Sequence, residues 1–374
     1  MTQAVYDVAI AGAGPAGAAA ALALARSGRR VLLADALTPA APALRIGEGL
    51  APGAASLLRE LGVLGRTLGD VHRPCVGTIA SWGKGAAHAH DFFASLAGDS
   101  LLLDRMRFDA MLRDAACEAG AQLVADKRMR VEAQSGADYH RVMLWDPGGD
   151  EQPVLARWVI DATGRRASVA RGLGAVRRRD ESLVALWLLL EPGDDAGSDA
   201  DADARIWVEA VPEGWWYSAL LPSGQRLVAL VCDASLPRAA GLLETQRLWQ
   251  QLQQAPLLHD LCARHAYRPT ARVRSTEAGS AALDRAAGER WLAVGDAAIS
   301  FDPLSSKGIA NALYSGLEAS KAIIAAQSGD QDAPYRYAAH LGDIYAHYRV
   351  QQRRFYAMET RWPEAEFWRA RLAG

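Results

Sequence analysis

The sequence predicts an α/β fold: a Rossmann-like dinucleotide-binding domain, an interleaved and largely antiparallel β-sheet domain, and a C-terminal helical region. Three observations carry that expectation. The chain opens on a strand–glycine turn–helix–strand unit, VYDVAIAGAGPAGAAAALALARSGRRVLLADA at 5–36. Two later apolar strands run into short polar turns, VLARWVIDATG at 154–164 and ERWLAVGDAA at 289–298. Between and around these lie strand-like runs with hairpin signals at 183–232, and after them an arginine- and aromatic-rich tail.

In the first unit, Val5 to Ala11 reads as a buried parallel strand, and an alanine-rich helix runs to a stop at Gly28. Gly12, Gly14 and Gly17 form G-x-G-x-x-G around Pro15 and Ala16. Gly12 permits the tight turn, Gly14 lets the backbone approach a pyrophosphate, and Gly17 lets helix and strand pack closely. The anion then rests on free N–H groups at the positive end of the helix dipole. A second strand, Val31 to Leu33, ends at Asp35, the spacing expected for a carboxylate on a ribose hydroxyl.

A long proline-rich loop follows, LTPAAPALRIGEGLAPGA at 37–54, and leads into a short helix. Within it Arg45, Gly47 and Glu48 are candidates for cofactor contact, with Arg45 and Glu48 equally readable as solvated loop charges. His88 and His90 share one face of a strand and, with no third ligand near, read as polar edge residues. A helix carrying Phe108, Met111, Leu112 and Ala115 stops at Gly120. Strands are expected over 122–126, 139–145, 183–190, 206–211, 215–221 and 227–232, and a helix over 242–263. The aspartate-rich stretch at 193–205 has Ala204 where a calcium loop needs glycine, and reads as a disordered, solvated loop. A long helix begins near Lys307, and the tail from Pro334 reads as a helix whose aromatics pack inward while its arginines face water. The expected division is segments 1–73, 101–180 and 268–330 for the nucleotide domain, 74–100 and 181–267 for the substrate domain, and 331–374 for the helical region.

The 374 residues suffice for two intertwined domains, and a net charge of −2 makes no global case for nucleic acid or an anionic membrane as partner. Cys75, Cys117, Cys232 and Cys262 are scattered, so they read as thiols of a reducing compartment with no zinc or other metal site. The start of the first strand leaves no room for a signal peptide, and no run of about 18 apolar residues could span a bilayer. The expected location is the cytoplasm.

Five ordered motifs now stand together: GAGPAG at 12–17, Asp35, LDRMRFD at 103–109, DATG at 161–164 and GDAAISFDPLSSKGI at 295–309. With them the chain resembles the FAD-dependent monooxygenases of the p-hydroxybenzoate hydroxylase type, with their halogenase and geranylgeranyl-reductase relatives. It is similar more narrowly to the LodB and GoxB type, with QhpG, through GEGLAPGA at 47–54, EGWWYSALLPSG at 213–224, DPLSSKG at 302–308 and RRFYAMETRWPEAEFWRAR at 353–371. Those flavoproteins help to mature quinone cofactors built from tryptophan side chains.

The resemblance implies a two-dinucleotide-binding-domain flavoprotein. Its FAD would be held by Gly12, Gly14, Pro15, Ala16, Gly17 and Asp35 at the ADP half, and also by Arg45, Gly47, Glu48, Arg105, Asp161, Gly164 and Gly295. Asp296 would bind the ribityl chain, and Pro303, Ser306, Lys307, Gly308 and Ile309 would face the isoalloxazine. Lys307, Ser306 and Glu48 are the catalytic candidates; Lys307 is read as near the flavin, with a solvent-facing position as the alternative. Trp187, Trp207, Trp215, Trp216 and Tyr217 are the substrate candidates; Trp215 and Trp216 alternate on a strand, so only one of them can line a pocket.

The implied reaction is hydroxylation of an electron-rich aromatic ring through a flavin C4a-hydroperoxide, with O2 as co-substrate and electrons from NAD(P)H or a separate flavin reductase. The implied substrate is an aromatic small molecule or a tryptophan-bearing protein or peptide. Three alternatives stay open. A halogenase would carry W-x-W-x-I-P where this chain has Tyr217 for the second tryptophan. The others are a reductase of carbon–carbon double bonds and a non-catalytic flavoprotein that presents a partner.

Overall fold

The computed structural model describes residues 4–36, 46–69, 71–83, 87–91, 100–132, 138–146, 148–193 and 201–372. Its first sheet is built around Val5–Ala11, flanked in parallel by Val31–Ala34 on one side and Glu151–Asp161 on the other. Gln122–Val124 and Trp291–Ala293 extend it in parallel at the two sides. The central strands are largely apolar and buried, as expected of a parallel sheet covered on its faces. The first half of Glu151–Asp161 instead pairs with an antiparallel ribbon, His140–Trp145 and Arg128–Val131.

The helix Pro15–Arg26 buries alanines rather than leucines along most of one side, and this sets how near its neighbour can come. An added Cβ on Gly316 of the helix Gly308–Gln327 would lie 2.3 Å from the Ala16 carbonyl oxygen, so the two backbones nearly touch. The alanine run therefore brings the start of the second helix beside the glycine turn.

The second sheet runs in the order Tyr267–Pro269, Leu183–Pro192, Arg226–Asp233, Gly214–Leu220, Ile206–Val211, Gly77–Ser81, His88–Asp91. Every pair in it is antiparallel except Ile206–Val211 with Gly77–Ser81. Leu186, Leu188, Trp207, Trp216 and Leu230 pack one face of this sheet against the helices Thr245–Leu252 and Pro256–Arg264. The other face turns toward the first sheet.

Three expectations change. The helix expected over 242–263 is two, because Pro256 has no N–H to continue a helix and instead begins a new one after Ala255. The aspartate-rich stretch is not solvated throughout: residues 194–200 lie outside the described residues, but Asp201 is 3% exposed and pairs with the fully buried Arg226. The tail is two helices, Ala333–Ala357 and Glu366–Leu372, and several of its arginines are engaged rather than facing water. Arg349 pairs with Asp180 and Glu181, Arg361 with Glu359, and Arg371 with Asp233. Of its aromatics, Tyr356, Phe367 and Trp368 pack inward in edge and tilted contacts with one another and with Trp82, whereas Tyr335 and Phe355 are exposed.

Among the described residues no helix is long and apolar enough to cross a membrane, and no group of His, Cys, Asp and Glu is placed to hold a metal ion. His88 and His90 are exposed on an edge strand.

Candidate active site

A cavity of about 1000 Å³ runs from the glycine turn, past the start of the helix Gly308–Gln327, to the underside of the second sheet. The N-terminal unit forms one end. Gly12 has φ +101°, and an added Cβ there would sit 2.3 Å from the Ala162 carbonyl oxygen. On Gly17 the Cβ would lie 1.9 Å from the Gly12 carbonyl oxygen, so this glycine packs the turn and does not face the cavity. Gly14 differs from both: a Cβ there meets nothing within 4 Å, and the position opens onto the cavity with Pro15 and Ala16. Asp35 also lines it, with one carboxylate oxygen accepting the Ala13 N–H at 2.9 Å.

Midway, Asp296 and Arg165 form an ion pair at 3.4 Å, and the Asp296 side chain is 35% open, toward the cavity. Burial raises the Asp296 pKa, and the guanidinium groups of Arg165 and Arg177 oppose that rise. Gly295 does not line the cavity; its φ of +56° and a Cβ clearance of 2.8 Å from Ala16 make it a packing glycine. Asp161 is likewise corrected from a cofactor contact to a fastening residue. Its fully buried carboxylate accepts the Thr163 N–H and hydroxyl and the Ala170 N–H, which leaves the neighbouring Thr163, Gly164 and Arg165 to face the cavity.

Pro303, Ser305, Ser306, Lys307, Gly308 and Ile309 line the cavity at the helix start, with Ser306 at φ +50°. The helix is 20 residues long, so its free N–H groups and dipole favour negative charge there. Arg105 stands opposite: its guanidinium grips Asp109 at 3.1 and 3.2 Å and donates to the Gly47 carbonyl at 2.9 Å, which holds the Gly47 turn on the cavity wall. Arg45 lies outside the described residues.

Glu48 does not line the cavity. It is 1% exposed, accepts the Gly47 N–H at 2.9 Å, and accepts the Tyr217 hydroxyl. Burial pushes its carboxyl pKa up, against the Tyr217 hydrogen bond and the Arg105 charge. The same burial, with Glu48 beside it, pushes the Tyr217 phenol well above its usual range. Tyr217→Phe removes the donor and leaves a buried acceptor unmet; it is expected to lower stability by about 1–3 kcal/mol, read as a lower urea midpoint of the FAD-loaded protein.

Of the five aromatic substrate candidates only Tyr217 lines the cavity. Trp207 and Trp216 are in the core on the far face, their indole N–H groups unpartnered. Trp215 shares the near face with Tyr217, but the C-terminal helix covers it, and its indole N–H donates to the Tyr356 hydroxyl at 3.0 Å. Trp187 is buried beside Leu221, Leu227 and Ala229. Strand alternation explains the split for adjacent residues, and coverage by the tail explains Trp215. The cavity wall under the sheet is instead small and apolar: Ala185, Leu227, Ala229 and Val231, with Thr276.

Residues that sequence reasoning missed include Lys127, Arg128, Met129 and Trp145, which reach the glycine end from the antiparallel ribbon, and Arg165. Arg165 follows directly on the DATG turn, and that position was its only available signal.

The FAD binding domain family matches residues 5–335. The chain belongs to the FAD binding domain family. FAD fits what the cavity presents: an open glycine at a helix start, a carboxylate beside it, and a volume at the upper end of the roughly 300–1,000 Å³ typical of ligand pockets. LodB of Marinomonas mediterranea, provisionally named an FAD-dependent oxidoreductase, is 30% identical over 98% of this chain and 97% of its own. The structure of QhpG, a peptidyl tryptophan dihydroxylase essential for tryptophylquinone cofactor biogenesis, superposes with a TM-score of 0.75 at 26% identity, over 98% of this chain and 79% of that one. The flavin-dependent halogenase CmlS superposes with a TM-score of 0.84 at 26% identity, over 99% of this chain and 68% of that one. The protein is an FAD-dependent oxidoreductase.

Proposed function

We propose that this FAD-dependent oxidoreductase is a monooxygenase that hydroxylates an electron-rich aromatic ring, the ring being a tryptophan side chain of a protein or peptide. O2 is the co-substrate, and NAD(P)H or a separate flavin reductase is the electron source. The observation that carries the reading is the wall beneath the second sheet, where Ala185, Leu227, Ala229 and Val231 line an apolar space and Tyr217 adds one phenol. Similarity to LodB along nearly both whole chains, and to the tryptophan dihydroxylase QhpG, supports a peptide-borne ring over a free one.

FAD supplies the redox chemistry when bound, accepting an electron pair and activating oxygen. The chain's residues bind, orient and exclude water. Gly12, Gly14, Pro15, Ala16 and Asp35 would hold the ADP half; Gly47, Arg105, Gly164 and Asp296 would hold the middle. Ser306, Lys307, Gly308 and Ile309 would place N–H donors and a cation where reduced flavin is negative, with the Pro303 ring on the same wall. Gly17, Gly295 and Asp161 act by shaping the turns, and Glu48 by fixing Tyr217. Tryptophan is electron-rich enough to react without deprotonation, so Lys307 and Ser306 serve the cofactor more than the ring.

The segments 1–73, 101–180 and 268–330 as FAD domain, 74–100 and 181–267 as substrate domain, and 331–374 as helical region belong to the same reading. So does a cytoplasmic location, which four free cysteines suit, with burial pushing the thiols of Cys232 and Cys262 up to about 12.

The test is to mix FAD-loaded, reduced protein with air and either indole or a tryptophan-bearing peptide, with and without chloride and bromide. Oxygen added to the ring independently of halide supports the reading. Halide-dependent mass replaces it with a halogenase, turnover without oxygen with a reductase, and a complex of unchanged mass with a presenting protein.

A further inference from the structure

The C-terminal helix Ala333–Ala357 backs the wall of the FAD cavity at Phe301, against which Tyr345 and Tyr348 pack, and hydrogen-bonds to it at Asp302. That carboxylate is 1% exposed and receives only donors. Its Oδ1 accepts the Leu304 N–H at 2.8 Å, and its Oδ2 accepts the Tyr356 hydroxyl at 2.6 Å and the Gln352 amide at 3.0 Å. Tyr348, from the same helix, accepts the Asp302 N–H at 2.8 Å. The Trp215 indole N–H in turn donates to the Tyr356 hydroxyl, so the hydroxyl's own hydrogen is left for Asp302. A carboxyl group met by donors on both oxygens is matched as the anion.

We infer that Asp302 is a buried anion that sets the reduction potential of the bound FAD, and that Tyr356 and Gln352 are positioning residues that keep it ionised. The inference rests on FAD occupying the cavity and not on the choice of hydroxylation. Asp302 sits two residues after the short strand Ile299–Ser300 and directly before the turn Pro303–Ser305 that leads into the helix Gly308–Gln327. Reduction of FAD by two electrons and one proton leaves net negative charge on the ring system. A fixed anion on the same wall opposes that charge, whereas the helix start favours it. The tail thus joins the redox site through Asp302, although it contributes no residue of its own to the cavity wall.

The groups facing Asp302 bear on its titration. Burial raises its pKa; Tyr356, the Leu304 N–H and Gln352 lower it, and the Glu181 carboxylate raises it. Arg349 partly offsets Glu181 by pairing with it, and Arg165 donates to the neighbouring Phe301 carbonyl at 3.0 Å. Tyr348 stays neutral, its phenol pushed far up by burial.

The experiment measures the midpoint potential of FAD-loaded protein against a reference dye, without oxygen or any aromatic substrate, from acid to neutral pH. D302N is expected to have a more positive potential than the unaltered chain at neutral pH. Y356F and Q352L are expected to move the pH at which the potential begins to rise more steeply toward higher pH, since each removes a donor that favours the anion. FAD content and thermal midpoint are recorded alongside. Identical potentials across the pH range in FAD-retaining Y356F and Q352L would overturn the inference and leave the contacts as packing; those two variants decide it even where D302N fails to fold. Because no oxygen or substrate is present, failure here leaves the hydroxylase reading untouched, and the reverse holds too.

Discussion

Gly17→Val is expected to prevent folding, whereas Gly14→Val is expected to give a folded protein that no longer retains FAD. The two glycines are three residues apart in one turn, yet they meet different surroundings. A side chain on Gly17 would begin 1.9 Å from the Gly12 carbonyl oxygen, and neither backbone can retreat while Gly12 itself is pressed against the Ala162 carbonyl. Moving helix and strand apart to relieve this costs about 4–5 kcal/mol or more, a large share of the roughly 5–15 kcal/mol by which domains are stable. Gly14 has φ −71° and ψ −177°, a conformation open to any residue, and nothing within 4 Å of an added Cβ. The valine therefore fills only the place where a pyrophosphate approaches the helix start, and FAD affinity falls by at least about tenfold, the equivalent of ~1.4 kcal/mol. Circular dichroism and flavin content, measured on both variants, separate the outcomes; a Gly14→Val protein with full FAD content would contradict the assigned seat.

Asp201→Ala is expected to destabilise the second sheet by about 3–5 kcal/mol. Asp201 is 3% exposed and pairs with Arg226, which is fully buried on the strand Arg226–Asp233. The guanidinium also donates to the Ser218 hydroxyl at 3.2 Å and the Asp203 carbonyl at 3.1 Å, but without Asp201 its charge has no buried partner. Tyr267 adds a hydroxyl to the same carboxylate at 2.7 Å. Burial alone would raise the Asp201 pKa; Arg226 and Tyr267 outweigh it and hold the carboxyl below its usual range. The pair's pH-dependent stabilisation is accordingly complete above the unfolded value of about 3.9 and lost as pH falls through the lower folded value. Urea unfolding at neutral pH measures the cost, and unfolding in acid shows the difference between the two proteins shrinking. Equal midpoints at neutral pH would mean that the pair contributes nothing.

The N-terminal unit was legible in the sequence because each of its glycines does a different steric task within one short turn. The strand Val5–Ala11 and the strand Ile206–Val211 fall where the apolar runs place them. Less of the site could be read, for two physical reasons. Side-chain direction in a sheet follows from alternation, but which face a distant segment covers does not, so Trp215 and Tyr217 looked equivalent until the tail was seen to cover the first. Partners far apart in sequence were also invisible: Asp201 looked like one more solvated aspartate, and its partner Arg226 stands 25 residues away. Asp302 and Tyr356 are 54 residues apart and belong to motifs with no local sign of each other. Asp161 misled in the opposite sense, since a turn carboxylate that binds its own backbone resembles one that waits for a ligand.

The most direct test of the central claim is mass spectrometry of a tryptophan-bearing peptide after incubation with the reduced, FAD-loaded protein under isotopically labelled O2. Labelled oxygen is expected on the indole ring, dependent on FAD and unaffected by halide. Reoxidation of the protein with all of the oxygen recovered as hydrogen peroxide, for indole and for every tryptophan-bearing peptide supplied, would contradict it.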